Sequence, residues 1–144
     1  MSEKKKNSNR EILHQMKEIY FPSGTEYKDW MGYILKGDNR PSYHHIEKKE
    51  ELRKKNLPTK ATIENGAYLG KLSHEKLHYI EIIDKDLYEC WNYIFRVINK
   101  MGIYPIEDVW KMIDNLQKET ECLVSEEAKI LRKKKKQTAK EKNS

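Results

Sequence analysis

The stretch "ENGAYLGKLSHEKLHYIE", residues 64–81, decides how the chain is read. Asn65-Gly66 is a strong turn signal. From Ser73 the residues turn helical, with Leu77 and Ile80 at helical spacing and Leu72 beside the cap. His74 and His78 stand four apart on this predicted helix, and residues at i and i+4 share a face, so both imidazoles can point at one ion.

Working outward, residues 42–46 suit a short strand, and "ATIE" at 61–64 suits a second. Between them lies the charged run "EKKEELRKKNLPTK". The predicted order is strand, loop, strand, turn, helix. Upstream, "YHHI" at 43–46 places two of the chain's five histidines side by side. Neighbours on a strand point to opposite faces. If His44 faces the helix, it supplies a third nitrogen beside His74 and His78. His45 then points away from the ligand set and is free to act as an unligated base at neutral pH.

With the residues in this order, the pattern His44-His45, Asn65, His74, His78 resembles the HNH (His-Me finger, ββα-metal) endonuclease family. Its spacing from Asn65 onward is similar to that of colicin-type DNases and of small phage-like HNH proteins. The resemblance covers roughly residues 40–82. It implies a ββα-metal unit and hydrolysis of DNA phosphodiester bonds; the periodicity of the flanking residues, read independently, embeds that unit in additional α-helices and makes the expected fold α+β. The resemblance assigns His45 as the general base, His44, His74 and His78 as metal ligands, and Asn65 as the residue that holds the loop and keeps the base oriented. Arg40 lies upstream, where related enzymes often carry a phosphate-contacting Arg.

The chemistry agrees with that division of labour. Phosphodiester hydrolysis needs an activated nucleophile, neutralised charge in the transition state and help for the leaving oxygen. One divalent ion can supply the last two, and a neutral imidazole the first. Three imidazoles favour Zn, Ni or Co by affinity, while catalysis could use Mg or Mn. Three protein ligands also leave a coordination position open, whereas structural zinc sites are usually closed by four. The alternatives from other classes are a non-cleaving, metal-stabilised nucleic-acid-binding module and a structural zinc site.

Charge is unevenly placed along the 144 residues, whose net charge is +6 and mean hydropathy −0.99. Residues 124–144 carry eight Lys/Arg against three Glu, residues 1–10 carry four against one, and residues 11–123 carry 17 against 19 Asp/Glu. Such basic ends attract polyanions without reading sequence. Residues 47–60 hold Lys48, Lys49, Arg53, Lys54, Lys55 and Lys60 against Glu47, Glu50 and Glu51, a net +3. This run reads as a flexible basic finger over the DNA backbone, or else as a solvated loop.

The remaining chain reads as one domain over 8–123, with a basic disordered segment at 1–7 and a basic tail from 124, helical or disordered. "SNRE" at 8–11 is a capping-box pattern that starts a helix to residue 20, carrying Ile12, Leu13, Met16, Ile19 and Tyr20. "EYKDWMGYIL" at 26–35 reads as a short helix or strand packed under the next unit. Leu87, Trp91, Ile94 and Ile98 form the apolar stripe of a helix at 86–101, and Val109, Ile113, Leu116, Thr120 and Leu123 that of a helix at 106–123. Trp91 and Trp110 read as packing residues. Cys90 and Cys122 belong to no CxxC pair and read as ordinary buried or semi-buried thiols. No run of 18 apolar residues exists and the N-terminus lacks an apolar h-region, so the expected location is the cytoplasm and no membrane partner is expected.

Overall fold

The computed structural model describes residues 2–23 and 27–142, with side chains described over 9–23 and 27–137. The architecture is α+β: five helices and a two-stranded antiparallel sheet among the described residues. Helix α1 spans Ser2–Tyr20, strand β1 Pro41–His45, helix α2 Lys49–Lys54, strand β2 Gly66–Gly70, helix α3 Lys71–Ile83, helix α4 Lys85–Met101 and helix α5 Glu107–Lys142. The hairpin followed directly by α3 is compatible with a ββα unit.

The second strand is not "ATIE" but GAYLG, five residues downstream. It pairs His44 with Ala67 and Tyr43 with Tyr68. Gly66 opens this strand without a left-handed φ, so the turn reading of Asn65-Gly66 misses why glycine stands there. A Cβ on Gly66 would lie 2.5 Å from the Tyr43 ring, and one on Gly70 would lie 2.0 Å from the Asn39 carboxamide. Both glycines admit close approach of a neighbour. Asn39 is itself fixed: its Oδ1 accepts the N–H groups of Leu72 (3.0 Å) and Ser73 (3.3 Å), satisfying the first turn of α3. That helix starts at Lys71, two residues earlier than expected, and leaves Leu72 exposed.

Residues 27–40 form neither helix nor strand beyond an isolated bridge between Lys28 and Ile34. Their organiser is Asp29, buried, whose carboxylate accepts from the N–H groups of Met31 (3.0 Å), Tyr33 (2.9 Å) and Gly70 (2.9 Å). Burial pushes its pKa up, and the three backbone donors oppose that shift. Trp30 N–H donates to the Tyr68 carbonyl at 3.1 Å, so this loop packs under the hairpin as expected.

The amphipathic stripe of α4 is buried: Leu87, Trp91, Ile94 and Ile98 join Met16, Tyr20, Trp30, Tyr68, Leu77, Ile80 and Ile113 in one core. Each large apolar side chain removed from water contributes about 1.5–3 kcal/mol, which makes α4 the central support of the hairpin. Asp84 caps α4 by accepting from Leu87 N–H at 3.1 Å, and Gly102 ends it in the left-handed conformation at φ 66°. Trp91 Nε1–H donates to Thr120 Oγ1 at 2.9 Å, tying α4 to α5.

Three further expectations are corrected. Helix α1 runs through Ser8, so the capping-box pattern is not its start; upstream residues that can continue a helix override such a signal. Ile19 is exposed although it follows the apolar spacing, and both cysteines are exposed. The tail takes the helical of its two expected forms, since α5 passes residue 123 without a break and continues to Lys142. No helix of the described residues is long and apolar enough to cross a membrane.

Candidate metal centre

Strand alternation places His44 on the face of β1 that meets α3 and α4, while Tyr43 and His45 take the other. His44 is buried. Its Nδ1 lies 3.3 Å from His74 Nε2, and His74 Nε2 lies 3.0 Å from His78 Nε2. One nitrogen from each of the three rings falls within 4.8 Å of the others, a group that could hold a metal ion.

The outward nitrogens explain why these three face inward. His44 Nε2–H donates to Asn92 Oδ1 at 2.9 Å, which leaves Nδ1 as the lone pair. His74 Nδ1 lies 2.9 Å from Ser42 Oγ, and His78 Nδ1 lies 3.6 Å from a Glu81 carboxylate oxygen. Every ring thus has a polar partner behind it, the arrangement that orients metal-binding histidines and raises their basicity. Three lone pairs converging without a cation repel one another, so the donor set fits a divalent ion with nitrogen preference. His44 and His74 hold the inner side, and His78, half exposed, opens the site to solvent.

Electrostatics keep His44 and His74 neutral, as ligands must be. Burial pushes the His44 imidazole down to about 3, against the Asn92 hydrogen bond and helped by His74 and His78. Burial and His78 push His74 down to about 4. Burial alone would raise the Glu81 carboxyl, but its ion pair with Lys48 and its contact with His78 hold it below the ordinary carboxylate range.

His45 is positioned by different elements. Its Nε2–H donates to the Thr59 carbonyl at 3.1 Å, leaving Nδ1 unprotonated, and its ring meets that of Tyr43 edge-on at 4.7 Å. Burial lowers its pKa, while the bond to Thr59 opposes that shift. The Asn65 side chain bonds to Glu47 and not to the His45 ring. Its Oδ1 accepts from Glu47 N–H at 2.8 Å, its Nδ2 donates to the Glu47 carbonyl at 3.0 Å, and its carbonyl accepts from Ile46 N–H at 2.9 Å. It therefore clamps the chain immediately after His45.

One cavity of about 320 Å³ brings these groups together, lined among others by His44, His45, His74, His78, Lys49 and Tyr88. Tyr88 is buried, its hydroxyl enclosed beside the Asn92 side chain without a hydrogen bond of normal geometry. The chain matches no family model, no curated protein and no solved structure.

The charged run at 47–60 is not a flexible finger. It contains α2, anchored by buried Leu52, and its far end returns to hold His45 through Thr59. Lys48, Lys54 and Lys55 are ion-paired with Glu81, Glu51 and Glu47. Arg53, Lys54 and Lys55 lie away from the cavity, whereas Lys48 and Lys49 line it. Arg40 lines a different groove. Sequence reading missed Ser42, Thr59, Glu81, Tyr88 and Asn92. Ser42 shares the His44 face at i−2, Glu81 follows His78 by one turn, and Asn92 interrupts the buried face of α4, so each of those three carried a signal. Thr59 acts through its backbone and carried none.

Proposed function

We propose that this chain is a metal-dependent endonuclease of the HNH (His-Me finger, ββα-metal) type, hydrolysing DNA phosphodiester bonds. The observation that carries the reading is that His45 and the His44, His74 and His78 group, which strand alternation sends to opposite faces of β1, border one cavity. A base separate from a ligand set, but within reach of the same substrate, is what hydrolysis of a phosphodiester requires.

His45 Nδ1 accepts the proton of the attacking water, with Thr59 holding the ring through Nε2 and Asn65 holding the chain behind it. A divalent ion bound by His44, His74 and His78 would supply Lewis-acid stabilisation of the phosphate charge and the leaving oxygen. Lys49 adds a positive charge at the cavity wall. The ligand set leaves room for such a phosphate because only three protein nitrogens converge. The native ion belongs to the group Mg, Mn, Zn, Ni or Co.

Plasmid cleavage assayed with each of these ions, and with EDTA, tests the proposal. Cleavage is expected with at least one ion and none with the chelator. An ion that binds stoichiometrically through the three histidines while no ion in the panel supports cleavage would leave a binding module instead.

A further inference from the structure

A second concavity, about 730 Å³, lies beside the first. Three separate parts of the chain line it with cationic side chains: Arg10 and Lys17 from α1, Arg40 from the segment before β1, and Lys71 from the start of α3. Arg10, His14 and Lys17 follow one another at i, i+4 and i+7, so α1 turns a single stripe toward the groove. None of the groove's described lining residues is acidic; Glu18, 3.4 Å from His14, stands outside it. The contrast with residues 47–60 is direct, since there Lys48, Lys54 and Lys55 are taken up by glutamates.

The groove adjoins the cavity that His45 borders. Tyr43 borders both, Ser42 lines the groove while its hydroxyl holds His74, and Lys71 precedes His74 by one turn on the same face of α3. A polyanion lying along Arg10, Lys17 and Lys71 would therefore run past Tyr43 toward His45.

We propose that this groove, floored by β1 and walled by α1 and the start of α3, binds the phosphate backbone of the DNA strand presented to His45. The inference rests on the endonuclease reading for its direction, but the binding itself does not need cleavage. Phosphate contacts of this kind fix register and orientation without reading sequence.

The test uses the full chain in EDTA, where nothing is cut, and a fluorescently labelled DNA duplex followed by anisotropy across a salt series. The triple variant R10E, K17E, K71E is compared with the wild type and with a charge-matched triple on α5, K133E, K135E, K136E. The groove variant should lose on the order of tenfold or more in affinity, and its log-log salt slope should fall by about 0.9 for each phosphate contact removed. The α5 variant should lose less. Zinc binding, measured on EDTA-free portions of the same proteins, reports that the hairpin and α3 remain folded; should the triple fail that check, the milder R10Q, K71Q pair takes its place with the same expected order. Equal losses in the groove and α5 variants, or a wild type that does not bind the duplex, would overturn the proposal. Wild-type binding that depends on the groove, without cleavage under any ion, would sink the endonuclease reading and leave the groove standing. Cleavage that is indifferent to the groove variant would do the reverse.

Discussion

His44 on β1 and Asn92 on α4 meet inside the core, the imidazole Nε2–H donating to the carboxamide oxygen at 2.9 Å across 48 residues of sequence. This bond fixes the tautomer of the most buried ring of the three-histidine group that could hold a metal ion. Asn92→Leu should therefore weaken metal affinity by about tenfold to a hundredfold, the usual effect of losing a partner behind a ligand. It should also cost about 1–3 kcal/mol, because a buried N–H is left without an acceptor. Zinc titration calorimetry and denaturant unfolding measure the two effects; unchanged metal affinity would remove Asn92 from the site.

His45→Ala should abolish cleavage while metal and DNA binding persist, since His45 lies outside the three converging nitrogens. The loss expected of a general base is about a hundredfold to ten-thousandfold in rate. His74→Ala and His78→Ala should instead weaken metal binding. Single-turnover cleavage beside metal titration separates the two classes, and a His45 variant cutting at the wild-type rate would refute the base assignment.

Tyr88→Phe removes a buried hydroxyl that lies beside the Asn92 side chain without a hydrogen bond of normal geometry. Stability should stay level or rise slightly, since no hydrogen bond is lost. Burial raises the Tyr88 pKa, so the group remains a donor at neutral pH. Because the hydroxyl is enclosed, the variant should bind metal and cut DNA as the wild type does. A cleavage rate lower by on the order of a hundredfold would instead show that the hydroxyl reaches the substrate phosphate.

Without metal, stability should decline as the solution becomes acidic. The folded His44 titrates near 3, below its ordinary value of 6.5, so both states are neutral above 6.5 and the group contributes nothing there. Between 6.5 and about 3 the unfolded chain takes up a proton that the folded chain refuses. Stability from this one residue then falls by about 1.4 kcal/mol per pH unit. Urea unfolding in EDTA at a series of pH values should show at least that slope, to which the lowered His74 adds, and His44→Gln should reduce it. A wild-type slope identical to the variant's would show that His44 is protonated in the fold.

Local periodicity carried much of this architecture. The i, i+4 spacing of His74 and His78, the opposed faces of His44 and His45, and the buried stripe Leu87, Trp91, Ile94 and Ile98 follow from fixed helix and strand repeats, and these are written in consecutive residues. Sequence alone determined that two imidazoles share a helix face and that the chain's ends are basic. Tertiary structure decided the rest. Strand β2 falls at 66–70 rather than 61–64 because its glycines must admit the Tyr43 ring and the Asn39 carboxamide, neighbours more than 20 residues away in the chain. Glu47, Glu51 and Glu81 neutralise cations that in the sequence look free, and Arg10, Lys17, Arg40 and Lys71 converge only when α1 packs beside the hairpin. Asn92 and the Thr59 carbonyl reach their histidines only through folding, because hydrogen bonds depend on distance in space and no repeat along the chain encodes that distance.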